Sequence, residues 1–299
     1  ALWQGFAYVG SEADSSGITI VDLRALPDTV TWKNWYGDGA YEGLVRRSHT
    51  VQTYNGRLFI FGGGNVTNGA TIAELSDPWN PHIVGKYTLN YVHDGFIRGD
   101  TLWASEILNG QFAVVDISDI TDPQLIVTQP TPDLLNHNSE LSGDSKTLFT
   151  TDETSSAPLA SFDVSDLNNI TLLDTYLPSQ VPVGEVHNVR VFGDFLVNPC
   201  YGGQLTIVDA SRPDNLIETA WVLPGNSLVW DAWPYLPSGI VFSTSRNAGL
   251  FIYQPTYQHA SWMEGLVTDS LTGQPLNGAR VYVLNTPNLD ITKIDGLYK

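Results

Sequence analysis

Helical periodicity is nearly absent from this chain. From the first residues onward, short runs of β-branched and aromatic side chains alternate with clusters of Gly, Asn, Asp and Pro, the pattern of strands joined by tight turns. The stretch Val186-His187-Asn188-Val189-Arg190-Val191, then Gly193-Asp194-Phe195-Leu196-Val197, then Gly203-Gln204-Leu205-Thr206-Ile207-Val208-Asp209 reads as strand, turn, strand, turn, strand. It opens on a histidine, closes on an aspartate, and is one copy of a repeating unit.

Two markers carry the repeat. A polar residue heads an apolar strand at His49, His93, His137, His187 and Asp231, in steps of 44, 44, 50 and 44 residues. An acidic residue ends a strand at Asp22, Glu74, Asp116, Asp163 and Asp209, in steps of 52, 42, 47 and 46. A sixth strand, Leu250-Phe251-Ile252-Tyr253-Gln254, follows 45 residues later without the acid. A period near 45 with about four short strands per unit is that of a β-propeller blade, whereas the rungs of a β-solenoid are shorter. The expectation is an all-β, six-bladed β-propeller over residues 1–258. Phe6-Ala7-Tyr8-Val9-Gly10 is the second strand of the first blade, so the ring is expected to close by pairing strands from both chain ends. Turns such as Asp116-Ile117-Ser118-Asp119 and Asp163-Val164-Ser165-Asp166 place Asp and Ser where they accept bonds from nearby amides, a capping role rather than a catalytic one.

The strand ends Val114-Val115-Asp116-Ile117-Ser118-Asp119 and Ile207-Val208-Asp209 resemble the LVIVD repeat of bacterial surface proteins. Together with the strand-heading histidines they are similar to the choice-of-anchor B family, as is Trp233-Pro234-Tyr235-Leu236-Pro237-Ser238-Gly239 to its last-blade motif. The resemblance covers residues 1–256 and implies an extracellular or outer-membrane-surface propeller with an envelope or extracellular protein or glycan as partner. Glu74 departs from the usual aspartate, and Asp231 stands where a fifth histidine would. After residue 258 the pattern changes. Glu264-Gly265-Leu266-Val267-Thr268-Asp269, Gly273–Ala279 and Val281-Tyr282-Val283 look like the first half of a carboxypeptidase-regulatory-like β-sandwich, expected to be incomplete over 259–299. Asp295–Lys299 stops in mid-pattern, so a continuation is expected, and the start at Ala suggests a trimmed chain.

Composition narrows the partners. The formal charge is −18, from 14 Lys and Arg against 32 Asp and Glu, which argues against nucleic acid and anionic lipid. Cys200 is the single cysteine, so no internal disulfide forms. No apolar run reaches the roughly 18 residues of a membrane helix, and no signal peptide is visible at the N-terminus.

Chemistry is expected in the central channel. Equivalent strands of successive blades bring His49, His93, His137 and His187 together by symmetry, with Asp231 fifth. The returning hairpin partners carry Glu106, Asp152-Glu153 and Cys200-Tyr201 to the same end. Neutral imidazoles with Glu106, Glu153 and Asp231 suit a divalent transition ion, whether zinc, iron, manganese or copper; a polar channel without an ion is the alternative. Trp230 and Trp233, with Tyr201, are candidates for stacking on a ligand at the channel mouth. Two functions remain open: a binding or scaffold module of the cell surface, and a hydrolytic or oxidative metalloenzyme using the channel ion. Gly62-Gly63-Gly64-Asn65 has no following helix and reads as a hairpin rather than a phosphate loop. Ser243 lacks a nucleophile-elbow setting, and the Asn65 and Asn169 sequons are acceptors only in a cell that glycosylates them. His82 and His259 fall outside the repeat.

Overall fold

In the computed structural model the described residues are 1–299 without 64–65, 181–183, 226–227 and 287–288, so part of the Gly62–Asn65 turn and the Asn65 sequon lie outside them. The chain divides into two units, Ala1–Tyr257 and Gln258–Lys299. The first is a six-bladed β-propeller of antiparallel sheets taken in chain order, at residues 2–35, 50–87, 94–130, 136–176, 185–222 and 229–253.

The inner strands of the second to fifth blades are buried on both faces, so alternate residues of one strand enter different seams. Leu58 and Ile60 pack with Phe6, Tyr8, Ile18 and Ile20 of the first blade. Phe59 and Phe61, between them in sequence, pack with Ile97 and Leu102 of the third. Comparable cores join the third blade to the fourth through Trp103, Phe112 and Phe162, and the fourth to the fifth through Phe149, Leu196 and Val208. This double burial explains why many strands read as unbroken apolar runs instead of alternating ones.

In the second to fifth blades the third and fourth strands share one irregularity. The register slips between Ile72 and Ala73, Val114 and Val115, Ser161 and Phe162, and Ile207 and Val208. Each is a bulge close to the acidic strand end, which adds local twist. The acids behave as turn residues: Asp116 Oδ1 accepts from Ser118 N at 2.8 Å, Asp163 from Ser165 N at 2.9 Å and Asp209 from Ser211 N at 2.9 Å.

The chain ends do not close the ring as expected. Leu2–Trp3 pairs with Ala7 and Phe6 and completes the first blade from its own N-terminal side. The sixth blade has three strands, and among the described residues no strand joins it to the first. Among the described residues its last strand, Gly249–Tyr253, pairs only with Val241–Ser245. An apolar groove of about 400 Å³ lies beside it, lined by Val197, Leu205, Ile207, Trp221 and Tyr253 among others. The second unit is small, with Gly265–Leu266 paired to Leu297–Tyr298 and Arg280–Tyr282 to Leu289–Ile291.

Candidate metal centre

The histidines are held by backbone before their side chains matter. His49, His93 and His187 each donate their amide to a carbonyl of the neighbouring strand, Phe61 at 2.8 Å, Ser105 at 2.8 Å and Pro199 at 2.9 Å. His137 is the residue skipped by a register shift between Asn136 and Asn138. The bulge turns its side chain out of the regular alternation.

The rings form a ladder from blade to blade. Centroids are 3.7 Å apart for His49 and His93, 4.5 Å for His93 and His137, and 4.1 Å for His137 and His187. His187 continues onto Tyr201, stacked at 4.2 Å, and Trp230 at 4.8 Å. Glu153 enters from the fourth blade, its carboxylate 3.6 Å from His187 Nε2 and 3.9 Å from His137 Nε2. Two sets of donor atoms therefore lie within 4.8 Å of one another, His49–His93–His137 and His137–Glu153–His187, with His137 common to both.

Nδ1 bonds set the tautomers. His187 Nδ1 lies 2.7 Å from the Trp230 carbonyl and His93 Nδ1 lies 3.4 Å from that of His137. A carbonyl only accepts, so Nδ1 carries the proton and Nε2 presents a lone pair. His49 Nδ1 is 2.8 Å from Glu12 Oε1, the carboxylate–imidazole arrangement that orients metal ligands. Both nitrogens of His137 and Nε2 of His187 are buried without a hydrogen-bond partner. Such groups are costly to bury unmatched.

Electrostatics favour neutral His93 and His137 beside an ionised Glu153. Burial, reinforced by His49, lowers His93 to about 4. His137 is pushed well below the ordinary histidine value by burial and by His187 and His93. Burial pushes Glu153 upward, but the surrounding histidines, His187 first, outweigh it and hold the carboxyl below its usual value. Neutral imidazole and carboxylate are the forms that bind a transition ion.

Two predicted ligands are drawn elsewhere. Glu106 is fully buried and accepts from Tyr87 Oη at 2.8 Å, Asn90 Nδ2 at 2.8 Å and Gln111 Nε2 at 2.7 Å; its lone pairs hold neighbouring side chains. Asp231 accepts two bonds from Arg190, at 2.9 and 2.7 Å. The reason is a shift of one residue. In the sixth blade the skipped position between Val229 and Asp231 is Trp230, so Trp230 takes the place of a histidine. Asp231 then belongs with Thr50, Asp94, Asn138 and Asn188, which follow the histidines. These residues form a second polar layer: Thr50 Oγ1 and Asn138 Nδ2 donate to Asp94 at 2.9 and 2.7 Å, and Asn138 Oδ1 accepts from Val189 N at 3.0 Å.

A third layer holds Glu140, 3.7 Å from Arg190 Nη1 and bonded by Tyr235 Oη at 2.6 Å. Trp233 packs edge-on to Tyr235 at 4.8 Å and is placed there rather than beside the histidines. Asp152 pins the preceding loop, accepting from Thr131 Oγ1 at 2.5 Å and Asp133 N at 2.8 Å. Cys200 is buried, and burial pushes its thiol up. His82 pairs with Asp38 away from the repeat positions. Glu12, Arg190 and Glu140 were not candidates from sequence. Of these, Arg190 was visible as a cation three residues past His187.

Residues 107–131 and 183–223 match the LVIVD repeat. They correspond to the outer part of the third blade and almost all of the fifth, so the chain is a β-propeller with LVIVD repeats. No curated protein matches it. Among solved structures it is similar to a proposed 6-phosphogluconolactonase of Bacteroides fragilis, with a TM-score of 0.62 at 11% identity over 98% of this chain and 82% of that one. The β-propeller domain of Cps50 (Swd1) from Myceliophteria thermophila gives 0.59 at 11% identity, over 84% and 80%. A proposed 6-phosphogluconolactonase of Bacteroides uniformis gives 0.56 at 15% identity, over 74% and 69%. At these identities the likeness is one of fold. Among the described residues no helix is long and apolar enough to cross a membrane.

Proposed function

We propose that this chain is a metal-holding binding module of the cell surface or extracellular space. A divalent transition ion is bound in the channel at His137, either with His49 and His93 or with Glu153 and His187. The observation that carries the reading is His137, buried with both ring nitrogens unmatched and shared by two clusters of donor atoms. An ion would satisfy donors that the protein leaves without partners. Zinc, iron, manganese and copper all accept imidazole with one carboxylate, and the candidate ligands are spread over four successive blades, the second to the fifth, so binding would also tie neighbouring blades together.

The acidic surface, the LVIVD repeats and the similarity to choice-of-anchor B proteins support a location outside the cytoplasm, with an envelope or extracellular protein or glycan as partner. The second unit is read as an accessory carboxypeptidase-regulatory-like module. Elemental analysis of protein purified without chelators is the test of the ion. About one transition ion per chain is expected, and His137→Ala should lose it while keeping the strand signature in circular dichroism. Native protein without bound metal, whose melting temperature is unmoved by added zinc, iron, manganese or copper, would refute the reading.

A further inference from the structure

The two donor sets that share His137 differ in charge. One joins it to His49 and His93, the other to Glu153 and His187, and in each the donor atoms lie within 4.8 Å of one another. The first set offers imidazole alone. The second adds a carboxylate whose two oxygens face different rings, Oε2 toward His137 Nε2 at 3.9 Å and Oε1 toward His187 Nε2 at 3.6 Å. These gaps are too long for hydrogen bonds. They exceed by about 0.3–0.6 Å the ~3.3 Å that separates two donors on one tetrahedral ion at ordinary metal–ligand lengths.

The sets also differ in what stands behind the rings. His187 Nδ1 is held by the Trp230 carbonyl at 2.7 Å, so its Nε2, buried and unmatched, is turned toward Glu153. In the first set the carboxylate in contact is Glu12, which meets His49 at Nδ1 at 2.8 Å, so the imidazole ring stands between that acid and the donor nitrogen. Asp94, one layer deeper, is taken by Thr50 and Asn138.

A ligating imidazole is uncharged. A dication among three of them would keep both charges inside the channel, whereas Glu153 neutralises one. Buried charge without a counter-charge is strongly disfavoured. The imidazole set therefore suits a monovalent ion, and copper is the transition metal that offers one to imidazole. Copper(I) on the first set and a divalent ion on the second leave the same single positive charge.

We propose that the shared site sorts metal ions by charge: His137, Glu153 and His187 take a divalent ion, and His49, His93 and His137 take copper(I). The inference rests on the metal reading above and assigns an ion class to each of its two positions. His137 belongs to both, and two cations so close repel strongly in a medium of low polarity, so the channel holds one ion at a time. Glu153 and His49 decide which.

The test uses the full chain, freed of metal with a chelator and titrated without oxygen, with cobalt(II) as the divalent probe and copper(I) as the monovalent one. Glu153→Gln keeps the size of the side chain and removes its charge; it should weaken cobalt(II) about tenfold or more and leave copper(I) unchanged. His49→Ala should do the reverse. Glu12→Ala, a change at an exposed side chain, should weaken copper(I) about tenfold and spare cobalt(II), which keeps the test open if His49→Ala does not fold. The two ions should compete, each weakening the other. Cobalt(II) affinity unchanged in Glu153→Gln, both ions weakened alike in Glu153→Gln or Glu12→Ala, or one cobalt(II) and one copper(I) bound together would overturn the sorting and leave the metal site itself in place. Wild-type protein that binds neither ion would overturn the metal reading and this inference with it.

Discussion

Glu140 gives the propeller a stability cost that develops as pH rises toward neutrality. Burial raises its carboxyl to about 7 from the ordinary 4.5, against the opposing pull of Arg190 and Tyr235. The folded state therefore holds a proton that the unfolded chain has already released between those two values. Stability falls as pH rises through the window, and the full cost is present above about 7. The gap corresponds to about 3 kcal/mol. In Glu140→Gln the side-chain oxygen still accepts from Tyr235 and Arg190 keeps both bonds to Asp231, but nothing ionises. Melting curves of metal-free wild type and variant, taken from pH 5 to pH 8, isolate the effect because the histidines titrate alike in both and cancel in the difference. The variant should melt close to wild type at pH 5 and about 10 °C higher at pH 8, using roughly 2–4 °C per kcal/mol for a domain of this size. A difference that is flat with pH, or a variant less stable at pH 8, would show that Arg190 compensates the charge of Glu140 and that the reasoning fails.

Two further outcomes follow from packing. Gly85 lies in the seam between the second and third blades, and a Cβ built on it would stand 1.6 Å from the Ile120 carbonyl oxygen; Gly85→Ala should cost about 2–3 kcal/mol in chemical denaturation, and a wild-type midpoint would contradict the seam. Cys200 is fully buried with its thiol pushed up; Ellman's reagent should find no reactive thiol in the native protein and one per chain after unfolding, and rapid native labelling would contradict that burial.

The sequence carried the architecture well because a blade needs the same turn chemistry each time. Asp116, Asp163 and Asp209 could be read as turn residues from their neighbours alone, and they bond Ser118, Ser165 and Ser211 as such. The four ring histidines were legible for the same reason, through spacing. What sequence obscured was register. Matching Asp231 to the histidines by charge and a 44-residue step missed that Val229-Trp230-Asp231 lines up with Val186-His187-Asn188, which puts an indole in the ring and the acid one layer deeper. Glu106 resembled a ring carboxylate because it ends the equivalent strand, yet Tyr87, Asn90 and Gln111 surround it. Tyr87 and Asn90 lie on the far side of the preceding strands in sequence and leave no local mark beside Glu106. Glu12 reaches His49 from a loop of the preceding blade, and Leu2–Trp3 is too short to register as a repeat element.

The three-stranded sixth blade has a practical consequence for the protein in solution. Its outermost strand, Gly249–Tyr253, offers backbone donors and acceptors along one side, and Leu250 and Ile252 are 60% and 67% exposed. No proline or lysine interrupts it. An edge of this kind is a template for strand addition, which natural sheets usually blunt with charge or cover. Self-association that grows with concentration should start at this edge, and a single lysine in place of Ile252 is the change that should suppress it while leaving the histidine channel untouched.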